Sequence, residues 1–410
     1  MTLSEELAWR GFVNQTTFPS PKALDGKPLT FYWGVDPSAD SMTIGNLAAA
    51  MMVRHFIQHG HHAVLLVGGA TGLIGDPDGK SEERELKPLD EIARNKAAIT
   101  EQYRRIFAGQ PFAVVDNYDW FKGLGYLEFL RTVGKHVPMR QMLGREFVQT
   151  RLSEEGAGIS YAEFSYVLIQ AYDFLHLFRD KAVTLQVCGA DQWGNSIAGV
   201  ELIRRMEEAE AHVWSAPLVV NKTTGKKFGK TEAGAVWLDE QKTSVYQFYQ
   251  FWLNVDDESV VDFLKLYTLL DKAAIEQTLD TFHHDRGARL AQQVLAYEVT
   301  KLVHGTSKAD AVRHATSVLF GKTEAGSLNN ADATVLKAEL PVVHAAAHDS
   351  LPALLVKAGL ASSNTEANRF IADGAVVVNG HKVTAADSAV LQPGDNLIKR
   401  GKNSFAVIER

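Results

Sequence analysis

The sequence predicts an α/β protein: a parallel sheet with crossover helices, followed by an α-helical unit and a small α+β module. Three observations carry that prediction. Between Leu29 and Ala209, short apolar runs alternate with stretches of helical period, and strand, helix, strand in succession implies parallel strands joined by crossover helices. From Ser244 to Phe320 the period is helical, with few strand-like runs. Residues 351–410 hold two helical segments and two hairpin signals.

Leu29–Val35 is apolar and aromatic and reads as a core strand. The turn Asp36-Pro37-Ser38-Ala39-Asp40-Ser41 leads from it into a helix from about Ile44 to His59, stopped by Gly60. Ala63–Val67 is a continuous apolar run of the kind buried on both faces of a sheet. It opens into the glycine-rich loop Gly68-Gly69-Ala70-Thr71-Gly72-Leu73-Ile74-Gly75-Asp76. Helix is expected over Leu89–Phe107, strand over Phe112–Asp116, and helices near Tyr126–Val133 and Tyr161–Phe178. Val183–Cys188 is again a strand, followed by the loop Gly189-Ala190-Asp191-Gln192-Trp193-Gly194 and a helix from Asn195 to about Ala209, with Asn195 as its cap. The three unusual loops all fall at the carboxyl ends of strands, where open parallel sheets bind ligands. Gly321–Ser350 reads as a connector. In the last module, Leu351–Ala358 and Thr365–Asp373 are helical. Asn379-Gly380 turns Ala375–Val378 back onto His381–Thr384, and Asn396–Lys399 with Ser404–Ile408 makes a second hairpin around Gly401.

Composition narrows the function. A chain of 410 residues, 46% hydrophobic and 22% charged, is an ordinary globular protein of two or three domains. The longest stretch without Asp, Glu, Lys or Arg, His55–Gly75, carries four histidines and ends among glycines, so no bilayer-spanning helix is expected. The first residues carry glutamates where a secretory signal needs a basic patch and an apolar run. Cys188 is the one cysteine; it can form neither an internal disulfide nor a cysteine metal site, and it reads as a buried structural thiol. The protein is therefore expected in the cytoplasm. Its net charge of −7 opposes non-specific coating of nucleic acid. Residues 351–410 nonetheless balance at +2 against −9 for the rest, and Lys399, Arg400 and Lys402 cluster, as in a module that touches phosphates or in a solvated hairpin.

The motifs separate by chemistry. Gly75–Ser81 resembles a P-loop but has Ile74 where the first glycine belongs, and Asp76 and Asp78 would face a phosphate with the wrong sign. The glycines at 69, 72 and 75 lack the spacing of the dinucleotide fingerprint. A glycine-rich strand exit ending in Asp76 instead suits backbone that lets a ligand approach, with a carboxylate for an ammonium or hydroxyl. His55, His59, His61 and His62 have no carboxylate or cysteine nearby to complete a metal set, so no metal site is expected. The segment Asn221-Lys222-Thr223-Thr224-Gly225-Lys226-Lys227-Phe228-Gly229-Lys230-Thr231 packs four lysines among two glycines. It reads as a solvated surface loop or, beyond such strand exits, as a cationic loop over polyphosphate, since nucleotidyl transfer needs cations where charge builds up.

Five stretches in order, Phe31–Leu47, Gly68–Lys80, Phe164–Phe174, Ala190–Asn195 and Lys227–Thr231, resemble the bacterial tyrosyl-tRNA synthetase family of class I aminoacyl-tRNA synthetases. The likeness extends over nearly the whole chain, and its end is similar to an S4 RNA-binding domain. The resemblance implies a Rossmann-like catalytic domain over residues 1–220, a mobile lysine loop and connection over 221–243, an α-helical anticodon-side domain over 244–325, a linker over 326–348 and an S4-like domain over 349–410. It implies ATP as substrate with accompanying Mg2+, no protein-bound metal, tRNA and tyrosine as the other substrates, and a homodimer, for which Asn117–Met142 is the interface candidate.

Matched motif to motif, Tyr32 and Asp173 would hold the phenolic hydroxyl of tyrosine, and Asp76, Tyr166 and Gln170 its ammonium. Asp36 and Gln192 would border tyrosine and ATP. Ser38, Gly45, Gly189, Asp191 and Lys230 would line ATP, with Asp191 at the ribose. Lys227, Lys230 and Thr231 would grip the leaving pyrophosphate, and Lys399, Arg400 and Lys402 would touch tRNA. One departure stands out: the family's His-x-Gly-His signature is here Thr43-Ile44-Gly45-Asn46, so the catalytic donors Thr43 and Asn46 can hydrogen-bond a phosphate but carry no charge. A catalytically weakened synthetase fold acting as an RNA-binding protein, and an unrelated nucleotidyltransferase of similar fold, are the alternatives.

Overall fold

The computed structural model describes the chain except for residues 78–84, 154, 221, 223–224, 226–227, 232–233, 321–329, 347, 385–389 and 402–403. Its contacts divide the chain into two units, Met1–Lys242 with Val255–Ala291, and Thr243–Asn254 with Gln292–Arg410.

The first unit is built on six strands: β1 (Gln15–Thr16), β2 (Thr30–Val35), β3 (His62–Val67), β4 (Phe112–Asp116), β5 (Leu185–Gly189) and β6 (His212–Ala216). They lie in the order β1-β6-β5-β2-β3-β4. The strands β2 to β6 run parallel and β1 antiparallel. The parallel α/β core thus stands as predicted. Successive strands are laid down from β2 toward β4 on one side and from β5 to β6 on the other, so the winding reverses between β2 and β5, the place where such sheets open a ligand crevice. Phe31, Leu65 and Leu185 have no exposed surface, which is why these runs are apolar without alternation. Two short strands, β7 (Lys230–Thr231) and β8 (Gly234–Ala235), pair with each other.

Two helices matter for the site. Ile44–Gln58 follows β2. Tyr161–Lys181 precedes β5, starts at Ser160, whose hydroxyl accepts from the Glu163 N–H at 3.3 Å, and ends at Ala182 with φ +52°. Its inner face buries Phe174 and Leu175 against Tyr32 and Leu202. The helix after β5 differs from expectation. It begins at Trp193, with Gln192 as its cap, because the turn Ala190–Gln192 is already helically wound and runs straight into it. Asn195 is therefore inside the helix, 1% exposed, and free to serve another purpose.

The second unit holds helices such as Val245–Leu253 and Thr306–Leu319 and a five-stranded sheet. Its strands are β9 (Val342–His344), β10 (Val376–Val378), β11 (His381–Lys382), β12 (Asp395–Arg400) and β13 (Ser404–Glu409), in the order β11-β10-β12-β13-β9. Both expected hairpins form, and Asn379 at φ +49° with Gly380 at φ +85° makes the first turn, the pair of positive angles for which Asn-Gly is favoured. The stretch read as a connector carries regular structure among its described residues. Asn330–Glu339 is a helix, and β9 pairs in parallel with β13. Leu336 of that helix shares an apolar cluster with Leu319, Leu397 and Val407, contacts distant in sequence and invisible to a local reading. Among the described residues no helix is long and apolar enough to cross a membrane, and no group of three histidines, cysteines or carboxylates could hold a metal.

Candidate active site

The exits of β2, β3 and β5 supply Asp36, Asp76 and Gln192, and the Tyr161–Lys181 helix supplies Tyr166, Gln170 and Asp173. Asp36 leaves β2; its Oδ1 accepts from the Thr71 hydroxyl at 2.6 Å and its Oδ2 from the Tyr166 hydroxyl at 2.7 Å. Gly68, at the exit of β3, leaves room for the Asp36–Thr71 pair, since a Cβ there would lie 2.2 Å from both Asp36 Oδ1 and Thr71 Oγ1 and would displace them. Gly69 is equally constrained by Asp116 Oδ1, also at 2.2 Å, which accepts its N–H. These glycines are where the backbone meets carboxylates at the pocket rim.

The floor is formed by Tyr32 and Asp173, each 2% exposed. Asp173 lies on the Tyr161–Lys181 helix, seven residues after Tyr166 and three after Gln170, so one helix face presents all three. Its Oδ2 accepts from Asn117 Nδ2 at 3.0 Å and its Oδ1 from Trp120 Nε1 at 2.9 Å. Burial pushes this carboxyl well above the ordinary carboxylate range, and the two donors pull it only part of the way back. The Tyr32 phenol is likewise raised by burial and then by the Asp173 charge. The Tyr32 hydroxyl and Gln170 Oε1 are buried with no hydrogen-bond partner among the described residues. Buried polar atoms of native proteins are nearly always paired, so a ligand carrying both a donor and an acceptor would satisfy these two.

At the other end, Gln192 Nε2 donates to Asp76 Oδ2 at 2.5 Å, and Asn195 Nδ2 donates to Gln192 Oε1 at 3.1 Å. Tyr166 feels the charges of Asp36 and Asp76, so carboxylates surround this part of the pocket and favour an ammonium. Ser38 is exposed in the turn after β2, its N–H donating to the Asp36 carbonyl at 2.8 Å. Gly189 brings the backbone close to Asp191, whose Oδ1 would be 2.7 Å from a Cβ.

The signature segment starts the Ile44–Gln58 helix. Asn46 Oδ1 accepts both the Thr43 N–H at 3.0 Å and the Thr43 hydroxyl at 3.1 Å. Gly45 is exposed, and a Cβ there would meet nothing closer than Thr43 Oγ1 at 3.5 Å, so this helix face is open to a flat group. The lysine segment lies against it. Gly229, at φ +95°, stands where a Cβ would meet Ile44 at 2.8 Å; the Val236 N–H donates to the Gly229 carbonyl, and the Ile44 N–H to the Val236 carbonyl. Phe228 packs on Phe263 with ring centroids 4.1 Å apart. Lys227 lies outside the described residues, as does Lys402, and only the backbone of Lys230 and Thr231 is described.

The site also uses residues that motif reading passed over. Asn117 is fully buried and bonds Asp173, Thr71 and the Ala70 N–H. Gln186 pairs in register with Tyr32, and its Oε1 is buried without a partner among the described residues. Asn117 follows β4 and Gln186 lies in β5; the one local signal was a buried-looking Gln in the apolar run Val183–Cys188. Burial raises the Cys188 thiol to about 12, consistent with an inert side chain. A cavity of about 610 Å³ beyond β4 shares Trp120 and Asp116 with the site but none of the residues assigned to tyrosine or ATP. In the second unit Lys399 is turned inward: its Nζ donates to the Leu319 carbonyl at 3.3 Å and lies over the Phe405 ring. Arg400 lies over Phe370 at 5.1 Å.

Comparison with known proteins identifies the family. The family model "tRNA synthetases class I (W and Y)" matches residues 24–321, and "Tyrosine--tRNA ligase SYY-like C-terminal domain" matches residues 332–409. The tyrosine–tRNA ligase of Bacillus caldotenax is 42% identical over 424 residues, covering 100% of this chain and 99% of its own. That of Levilactobacillus brevis is 40% identical over 420 residues, covering 99% and 98%. Among solved structures, a C-terminally truncated mitochondrial tyrosyl-tRNA synthetase of Aspergillus nidulans superposes with a TM-score of 0.71 at 30% identity, covering 78% of this chain and 94% of that one. The enzyme from Archaeoglobus fulgidus complexed with L-tyrosine, at 14% identity and a TM-score of 0.56, shares the fold. Full-length identity near 40%, two matching family models and an α/β core with a second, C-terminal sheet place the chain in the class I tyrosine–tRNA ligase family.

Proposed function

We propose that the pocket at the ends of β2 to β5 carries out both steps of tyrosine–tRNA ligation. The tyrosine carboxylate attacks the α-phosphate of ATP, pyrophosphate leaves, and a terminal ribose hydroxyl of tRNA takes the tyrosyl group from the adenylate. The observation that carries this reading is the Tyr32 hydroxyl, buried without a partner among the described residues beside a buried Asp173. A phenol entering here supplies a hydroxyl that donates and accepts at once. Asp76, Tyr166 and Gln170 take the ammonium, and Asp36 and Gln192 border tyrosine and ATP, Gln192 as the donor toward the reacting carboxylate. Ser38, Gly45, Gly189 and Asp191 receive ATP, whose Mg2+ arrives with it as part of the substrate. Thr43, Asn46, Lys227, Lys230 and Thr231 stabilise the charge that develops on the phosphates.

The module at 349–410 binds tRNA in this reading, with Lys399, Arg400 and Lys402 near the contact. A second copy of the chain covers the apolar side chains around Asn117–Met142, where Tyr126 and Leu127 are 61% and 78% exposed. The protein works in the cytoplasm.

Sites that hydrogen-bond a substrate hydroxyl reject the analogue lacking it by about 10⁴–10⁵, a range for which enzymes activating tyrosine are themselves the standard instance. The test is amino-acid activation by Asp173→Ala and Tyr32→Phe. Asp173→Ala is expected to lose most tyrosine activation, and Tyr32→Phe to lose part of the discrimination against phenylalanine. An Asp173→Ala protein that activates tyrosine like the parent would show that the phenol binds elsewhere.

A further inference from the structure

Arg145, Asn195, Gln192 and Asp76 form one hydrogen-bonded chain whose direction is fixed at both ends. Arg145 Nη1 donates to Asn195 Oδ1 at 2.5 Å, Asn195 Nδ2 to Gln192 Oε1 at 3.1 Å, and Gln192 Nε2 to Asp76 Oδ2 at 2.5 Å. A guanidinium can only donate and a carboxylate can only accept. Two carboxamides strung between them have one orientation that satisfies every link; turning either sets donor against donor and acceptor against acceptor. The surroundings hold the guanidinium in place. Gly194 leaves it room, since a Cβ there would stand 2.9 Å from Arg145 Nη2, and the guanidinium carbon lies 4.8 Å from the centre of the Phe147 ring. Asn195 is buried inside the helix rather than capping it.

We infer that Arg145 is a positioning residue for amino-acid activation: through Asn195 it fixes the Gln192 carboxamide with its NH2 group toward Asp76 and the substrate. The inference rests on the proposed placement of Gln192 beside the reacting carboxylate. A donor there stabilises the negative charge shared by carboxylate and α-phosphate, whereas the amide oxygen in the same place would repel both. Arg145 belongs to none of the motif stretches, and only the fold brings it to them.

The experiment is pre-steady-state measurement of tyrosyl-adenylate formation by the full chain carrying Gln192→Ala, Arg145→Ala or Asn195→Asp, and by each of the last two combined with Gln192→Ala. Urea unfolding identifies which variants fold. Asn195→Asp keeps a partner for Arg145 but cannot donate to Gln192, so it reverses the amide without emptying the space. Arg145→Ala and Asn195→Asp are each expected to slow adenylate formation about 10-fold or more. That loss should shrink to within about 2-fold once residue 192 is already Ala, because the relay acts through Gln192. Either folded variant suffices for the comparison. Losses that simply add overturn the relay while leaving Gln192 in the site. A Gln192→Ala protein as fast as the parent overturns the relay and the placement of Gln192 together.

Discussion

Thr43 and Asn46 show how a substituted signature can serve two purposes. Asn46 Oδ1 takes the Thr43 N–H and hydroxyl, so the pair closes the start of the Ile44–Gln58 helix, and the Asn46 NH2 is the group left to donate toward phosphate. The Thr43 hydroxyl reaches a phosphate only by giving up its bond to Asn46. Asn46→Ala is therefore expected to slow adenylate formation more than Thr43→Ala, toward the ~10²–10³ typical of one lost oxyanion donor, with tyrosine affinity nearly unchanged. Asn46→Asp separates the roles: it keeps the acceptor that caps the helix, worth about 1 kcal/mol, and loses the donor. Stability near the parent's with a rate as low as that of Asn46→Ala is the expected outcome; a parental rate would make Asn46 a cap alone. At this scale the sequence made legible that Tyr166, Gln170 and Asp173 share one helix face, because they sit at helical spacing on one segment. Asn117, Trp120 and Gln186 were not legible, since what qualifies them is a partner on another element: Asp173 for the first two, Tyr32 for the third.

Elements with strong local signals form where the sequence places them, as the Asn379-Gly380 hairpin and the apolar strand β3 do. Those depending on distant partners do not announce themselves: the helix Asn330–Glu339 and β9 are held by Leu319, Leu397 and β13. The Ile44–Gln58 helix carries a further consequence at its far end. His55 is 1% exposed, near Glu6 and Arg10. Burial first, and then the Arg10 charge, lower it from 6.5 to about 3. The folded protein thus keeps His55 neutral while the unfolded chain protonates it below pH 6.5. Its contribution is fully present above that pH and is lost as pH falls from 6.5 toward 3, at a slope of on the order of 1 kcal/mol per pH unit. Urea midpoints between pH 7 and pH 4 should fall steeply in the parent and less so in His55→Leu. Equal slopes would mean that His55 does not stay neutral in the fold.

In the whole molecule every residue assigned to tyrosine and ATP lies in the first unit, while the match to the C-terminal domain begins at 332. A chain ending at Phe320 is expected to form tyrosyl-adenylate and to charge tRNA poorly, and the deficit of the truncated chain should narrow as salt weakens phosphate contacts in the full one. Equal charging by both chains would remove the RNA role from the module. The family could be read from five motifs in order, but whether an uncharged signature still supports chemistry depends on the geometry around Thr43 and Asn46. In the proposed function this pocket activates tyrosine by recognising its hydroxyl. ATP–pyrophosphate exchange by the intact protein, run with tyrosine and with phenylalanine at equal concentration, tests it most directly: strong exchange with tyrosine and almost none with phenylalanine is the predicted result, and no tyrosine-dependent exchange, or equal exchange with both, would contradict it.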